Sequence, residues 1–161
     1  MKYADNLFAR RDPPNALREA AAAPSPHHPT HPPTTAVPGG DRVAANQVLY
    51  NLAHRGVEFD LLPWCAARRI AVMAYSPLDE GRLVRHPALD SVAKRLHASA
   101  GQVAVAWLLR NPDVVTIPKA ATPEHVRANR AAADLALDDG ALDTLERAFP
   151  APRRKRPLEV I

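Results

Sequence analysis

Apolar residues along the chain fall into two kinds of run. The first kind is short and nearly continuous: Val43 to Tyr50, interrupted only by Ala-flanked Asn46 and Gln47, then Ile70 to Ala74, then Val114 to Ile117. Continuous apolar runs of this length predict buried strands of a parallel sheet, because a strand with one solvated face would alternate. The second kind repeats at helical spacing. Leu89, Val92, Ala93 and Leu96 form one stripe; Val103, Ala106 and Trp107, with Arg110, lie along one side of the next helix. Leu142, Leu145 and Phe149 mark a last helix over about Asp139–Ala148.

Punctuation between the runs agrees with this reading. Asp60 to Arg69 is expected to be a short helix, since Pro63 is tolerated only in a first turn. Ser76-Pro77 stops the second strand. Ser99-x-x-Gln102 is a capping box, and Thr122-Pro123 offers an N-cap followed by proline at the first helical position. Asn111-Pro112 ends the helix before the third strand. The resulting order, β-α-β-α-α-β-α-α, predicts an α/β architecture of parallel strands covered by helices.

Composition divides the chain. Residues 1 to 38 hold eight of the 17 prolines, three of the seven histidines and no glycine. Proline at this density removes backbone donors and fixes φ, so Ala20 to Pro38 is expected to be disordered or extended. Such a Pro-, Ala-, Arg- and His-rich stretch also suits a frameshifted or mis-assigned start. His27, His28 and His31 have no cysteine or carboxylate beside them, and no metal site is expected there. An ordered domain is expected over residues 39–161. One cysteine, Cys65, excludes an intrachain disulfide and fits a reducing compartment. No apolar run reaches the ~18 residues of a membrane span. Met1 to Asp12 lacks the apolar core of a secretory signal, so a cytoplasmic protein is expected. The net charge of +4 would permit a polyanion partner. The basic residues are dispersed, however, except for Arg153-Arg154-Lys155-Arg156, which reads as a solvated tail rather than a nucleic-acid contact.

Candidate chemistry gathers where strands end. Asn46-Gln47-Val48, Ala74-Tyr75-Ser76-Pro77-Leu78 and Ile117-Pro118-Lys119-Ala120 each close an apolar run, and the carboxyl ends of successive strands are where a β/α barrel builds its site. Taken singly, Gln47 is a buried amide, Tyr75 a rim aromatic and Lys119 a surface charge.

In order and at their spacing these segments resemble the C-terminal part of bacterial aldo-keto reductases. The resemblance runs over residues 38 to 161 and includes Asn46 to Leu52, Asp60 to Cys65, Ala74 to Leu78, Gln102 to Ala104, Ala106 to Leu109, Ile117 to Ala120 and Glu124 to Asn129. It implies part of an eight-fold (β/α)8 TIM barrel, about its strands six to eight, binding NADPH without a Rossmann domain. It implies that Gln47 bonds the nicotinamide carboxamide and that Tyr75 stacks on the nicotinamide ring. Ser76, Leu78 and Gly81 would form the loop over the pyrophosphate, whose backbone donors need no charged side chain. Lys119 would meet the adenosine 2′-phosphate, at which the Thr122-Pro123 helix start would aim its N–H groups. Arg127 and Asn129 would lie near the adenine end. His125 and Ala120 stand where many relatives carry arginine and serine or threonine. An imidazole and a methyl group cannot reproduce those bonds, so discrimination between NADPH and NADH should be weaker here.

The same resemblance implies reduction of a small-molecule aldehyde or ketone, with a tyrosine as acid beside an aspartate, a lysine and a histidine, all from the N-terminal half of the barrel. The tyrosines here are Tyr3, Tyr50 and Tyr75, and the lysines Lys2, Lys94, Lys119 and Lys155. None completes that set, so no catalytic residue is assigned and the chain is expected to be inactive alone. The alternative is a non-catalytic nucleotide-binding or interaction module. Three strands would leave open edges and an exposed inner face, inviting self-association.

Overall fold

The computed structural model describes residues 42–161; the expectations for residues 1–38, including the three histidines, lie outside the described residues. Ala44–Ile161 forms one compact unit. Three parallel strands, β1 (Ala45–Leu49), β2 (Ala71–Tyr75) and β3 (Val114–Thr116), pair in chain order. The helices are α1 (Leu61–Ala67), α2 (Pro87–Arg95), α3 (Ala100–Leu109), α4 (Pro123–Ala131) and α5 (Asp139–Ala148), with short 3-10 turns between them.

The expected element order is the observed one, and the local signals explain the boundaries. Ser99 Oγ accepts from the Gln102 N–H while the Gln102 side chain accepts from the Ser99 N–H, closing the capping box that opens α3. Thr122 caps α4 by accepting from the His125 N–H, with Pro123 in the first turn. Asp138 caps α5 through the Ala141 N–H. Pro63 falls in the first turn of α1. One expectation needs correction. The helix over Ala100–Leu109 does not present one apolar side: Val103 to Leu108 are all buried, so it is enclosed all round as a central helix.

Register divides the sheet into two faces. Asn46, Val72 and Val114 lie side by side, as do Val48, Ala74 and Thr116. This face is packed under helices, and Val72 and Ala74 are 1% and 0% exposed. The other face carries Ala45 beside Ala71, Gln47 beside Met73 and Val115, and Leu49 beside Tyr75. Ala45, Gln47 and Val115 on that face are exposed. β1 and β3 are the outer strands, so among the described residues both edges of the sheet are unpaired.

A second anchor lies beyond the carboxyl end of β1. The Arg55 guanidinium is buried and donates to both oxygens of Glu58, to Glu146 of α5 and to the Phe149 carbonyl. It also lies over the Trp107 ring, against which Tyr50 and Arg110 pack as well. Burial opposes the charge of Arg55, yet its bonds to Glu58 and Glu146 hold its pKa above the ordinary value. This cluster joins the β1 end, α3 and α5. Among the described residues no helix is long and apolar enough to cross a membrane.

Candidate functional site

Tyr75 closes β2 and Lys119 lies beyond β3, but Gln47 is not at a strand end as expected, because β1 continues through Val48 and Leu49. Gln47 is the central residue of β1 and exposed on the open face. Tyr75 is the last residue of β2 and half-buried on that same face, opposite Leu49. Lys119 follows β3 outside any regular element and is exposed. The register therefore brings Gln47 and Tyr75 to one face of one sheet, with Lys119 in the segment leaving the adjacent strand.

After Tyr75 the backbone turns sharply. Ser76, Asp79, Glu80 and Gly81 all have left-handed φ, at 49°, 50°, 53° and 86°. For three of these residues the conformation costs on the order of 1–2 kcal/mol each, and for the glycine almost nothing. Ser76 is the least expected, because a residue preceding proline normally stays extended. Side chains from the β1 loop hold this shape. Asn51, fully buried, donates from Nδ2 to the Ser76 carbonyl at 2.8 Å, while its Oδ1 accepts from the Ala53 and His54 N–H groups. His54 Nε2 lies 3.2 Å from Asp79 Oδ1, and Asp79 is 6% exposed. Strain maintained by buried partners is a mark of functional loops. A Cβ built on Gly81 meets nothing within 4 Å, so the loop surface there is open. Leu78 is half-buried and sits against Gly101 at the start of α3.

The start of α4 is a second cluster of donors. Its first turn is wholly exposed, and Glu124 already uses it: bonds from its own N–H and from Thr122 hold that carboxyl below the usual glutamate range. An anion arriving at this helix end would compete with Glu124. His125 and Arg127 are exposed, and Arg127 reaches Glu124 at 3.4 Å; Asn129 is half-buried. Ala120 is half-buried beside Lys119. Among the described residues no group of three metal-ligating side chains converges.

Tyr50 does not have the surroundings of a proton donor. Tyr50 is buried, and its hydroxyl donates to Glu58 at 2.9 Å. Burial first, and then the Glu58 charge, push its pKa well above the ordinary phenol range, opposite to what an acid needs near neutrality. Burial also pushes the Cys65 thiol up, leaving it inert. In the basic run, Lys155 is paired with Asp60 at 2.7 Å.

Sequence reasoning missed Asn51, His54 and Asp79 as site-shaping residues. An asparagine just past a strand end is a turn signal, and Asp79-Glu80-Gly81 is another. Nothing local says that the two turns touch.

Comparison with known proteins places this geometry. The sequence model of the aldo/keto reductase family matches residues 37–149. Methylglyoxal reductase YeaE of Escherichia coli is 43% identical over 130 residues, which are 78% of this chain and 46% of that protein. The crystal structure of an aldo-keto reductase from Klebsiella pneumoniae in complex with NADPH superimposes with a TM-score of 0.76 at 42% identity, covering 80% of this chain and 47% of that one. A Klebsiella pneumoniae aldo/keto reductase in complex with NADP and acetate gives 0.74 at 43% identity, covering 78% and 46%. The chain thus spans about half the length of the relatives it matches. Three parallel strands, their covering helices and the segments at their carboxyl ends all fall within the matched region, and the chain belongs to the aldo/keto reductase family.

Proposed function

We propose that this chain forms the dinucleotide-binding side of an NADPH-dependent aldo/keto reductase, corresponding to about strands six to eight of a (β/α)8 barrel. The observation that carries the reading is register: Gln47 and Tyr75 share one sheet face, beside the strand whose exit carries Lys119. The residues present fit the cofactor. Exposed Gln47 offers an amide to the carboxamide, and the half-buried Tyr75 ring offers a stacking surface. The loop carrying Ser76, Leu78 and Gly81 offers open space at Gly81 to a pyrophosphate, although the Gly81 N–H is given to the Leu78 carbonyl and would not serve as a donor. Lys119, with His125, Arg127 and Asn129 of α4, faces the adenosine phosphate end, where Glu124 is the competitor. Bound NADPH supplies a hydride to the carbonyl carbon of a small aldehyde or ketone. What this chain contributes is orientation of the nicotinamide and neutralisation of phosphate charge.

Proton delivery is the missing part. Tyr50 is buried against Glu58, Tyr75 is committed to stacking, and no described lysine pairs with either. Each acid–base role is worth typically ~10²–10⁴-fold in rate. The chain alone therefore binds cofactor without useful turnover, and the barrel's other strands, covering the open face, complete the enzyme. Without them the unpaired edges favour self-association. The buried, reduced Cys65 suits a cytoplasmic setting. The same geometry supports a second reading, a non-catalytic nucleotide-binding or interaction module, since both sheet edges among the described residues are open to another chain.

Calorimetric titration of the purified chain with NADPH tests the proposal. Saturable binding, weakened about ten-fold or more by Lys119→Ala and by Tyr75→Ala, is expected, with no aldehyde-dependent NADPH oxidation. Absence of binding, or binding indifferent to both substitutions, would remove it.

A further inference from the structure

The C-terminal tail returns to the β1 end. Pro157, Leu158 and Glu159 line a small cleft with Leu49, His54, Gly56 and Val57. Leu49 is on the open face by register, yet it is only 3% exposed beside this tail. At the cleft the His54 imidazole is engaged on both nitrogens: Nδ1 by the Glu159 carboxylate and Nε2 by Asp79. Asp79 is the buried member of the left-handed loop, and its other oxygen lies 3.4 Å from Arg82, which is 63% exposed and also pairs with Glu80. His54 is therefore the more enclosed of the two side chains on Asp79.

Three segments far apart in sequence thus meet on one ring: the turn after β1, the loop after β2 and the chain's end. The Asn51 bond to the Ser76 carbonyl ties down the start of that loop, whereas at its crest His54 adds a side-chain contact to Asp79 beside the loop's own backbone bonds and Arg82. Glu159 orients the ring from the opposite side. We infer that His54 is a positioning residue that makes the shape of the Ser76–Gly81 loop, and with it dinucleotide affinity, depend on docking of the C-terminal tail. The affinity part rests on the reading of this loop under Proposed function; the coupling of tail to loop does not.

Hydrogen exchange of the full chain, with and without NADPH, separates the two. Glu159→Gln keeps the tail and its shape but removes its charge. It is expected to speed exchange of the amides of residues 78–82 about ten-fold while leaving α3 unchanged. His54→Gln should do the same, and the double substitution should add little, as for residues acting through one contact. The His54 ring ¹⁵N resonances should move in Glu159→Gln, and Glu159→Asp should restore most of the protection. NADPH affinity should fall three- to ten-fold in parallel. Unchanged exchange at residues 78–82 in Glu159→Gln would overturn the inference. Coupled exchange in a chain that does not bind NADPH would uphold the clamp and overturn the cofactor role of the loop.

Discussion

The two faces of the sheet are made of similar residues and meet opposite fates. Val72 and Val115 are both strand valines, and Met73, the neighbour of Val72 in β2, pairs with Val115. Yet Val72 is 1% exposed under the helices and Val115 is 46% exposed, with Ile117 just beyond it at 43%. Parallel strands are apolar on both faces because both are normally covered. The chain therefore encodes more interior than its described helices enclose. A half-exposed valine or isoleucine forgoes on the order of 1 kcal/mol of burial. The covered face supplies stability, and the open face, with its strand ends, carries the candidate site.

The widest separation between the faces should come from charge. Val72→Asp buries a carboxylate with no partner, a cost of several kcal/mol, and no cooperative unfolding transition should remain in circular dichroism. Val115→Asp, on the exposed side, should change stability by less than about 0.5 kcal/mol and reduce self-association in sedimentation velocity. Equal damage from both would erase the distinction.

Next is Arg55, the anchor behind the site. Arg55→Met leaves Glu58 with the Tyr50 hydroxyl but no cation and removes the link to α5, and a loss of about 3 kcal/mol is expected in urea denaturation. A loss under about 1 kcal/mol would mean that the cluster is ornamental.

Alkali offers a milder test. The pKa of Tyr50 is raised in the folded state, so its contribution is fully present below the ordinary phenol value of about 10 and is lost as pH rises beyond it. Above about pH 10 the melting temperature should fall, and one tyrosine should ionise, by absorbance at 295 nm, only as the chain unfolds. Tyr50→Phe should flatten that decline. Ionisation of every tyrosine in the folded protein would contradict the burial seen here.

The smallest effect concerns Thr116 at the end of β3. Its hydroxyl is buried on the covered face and finds no partner among the described residues. Thr116→Val should therefore raise stability by about 1 kcal/mol, read from the denaturation midpoint. A loss would point to a partner for that hydroxyl.

Much of the fold was legible because its signals are local. The Ser99–Gln102 box, the Thr122 cap and the 139–148 helix depend on residues within a few positions of one another. The strand runs were legible because covered-face valines and open-face apolar residues alternate into one continuous string. The enclosure of α3 was not, since a stripe of Val103, Ala106 and Trp107 reads the same whether or not Ala104 and Val105 are covered from behind. For the candidate site, Gln47, Tyr75 and Lys119 were assigned through resemblance, whereas Asn51, His54 and Asp79 were not. Their contacts join positions 25 and 105 residues apart, and no periodicity records such pairings.

The most direct test is amide chemical-shift mapping of the isotopically labelled chain as NADP⁺ is added. Perturbations confined to residues 47, 75–82 and 117–129, at the carboxyl ends of the strands, are expected, with Ala71 and Val114 at the opposite ends silent. Shifts clustered at those amino ends, or none at saturating nucleotide, would contradict a dinucleotide site on this sheet.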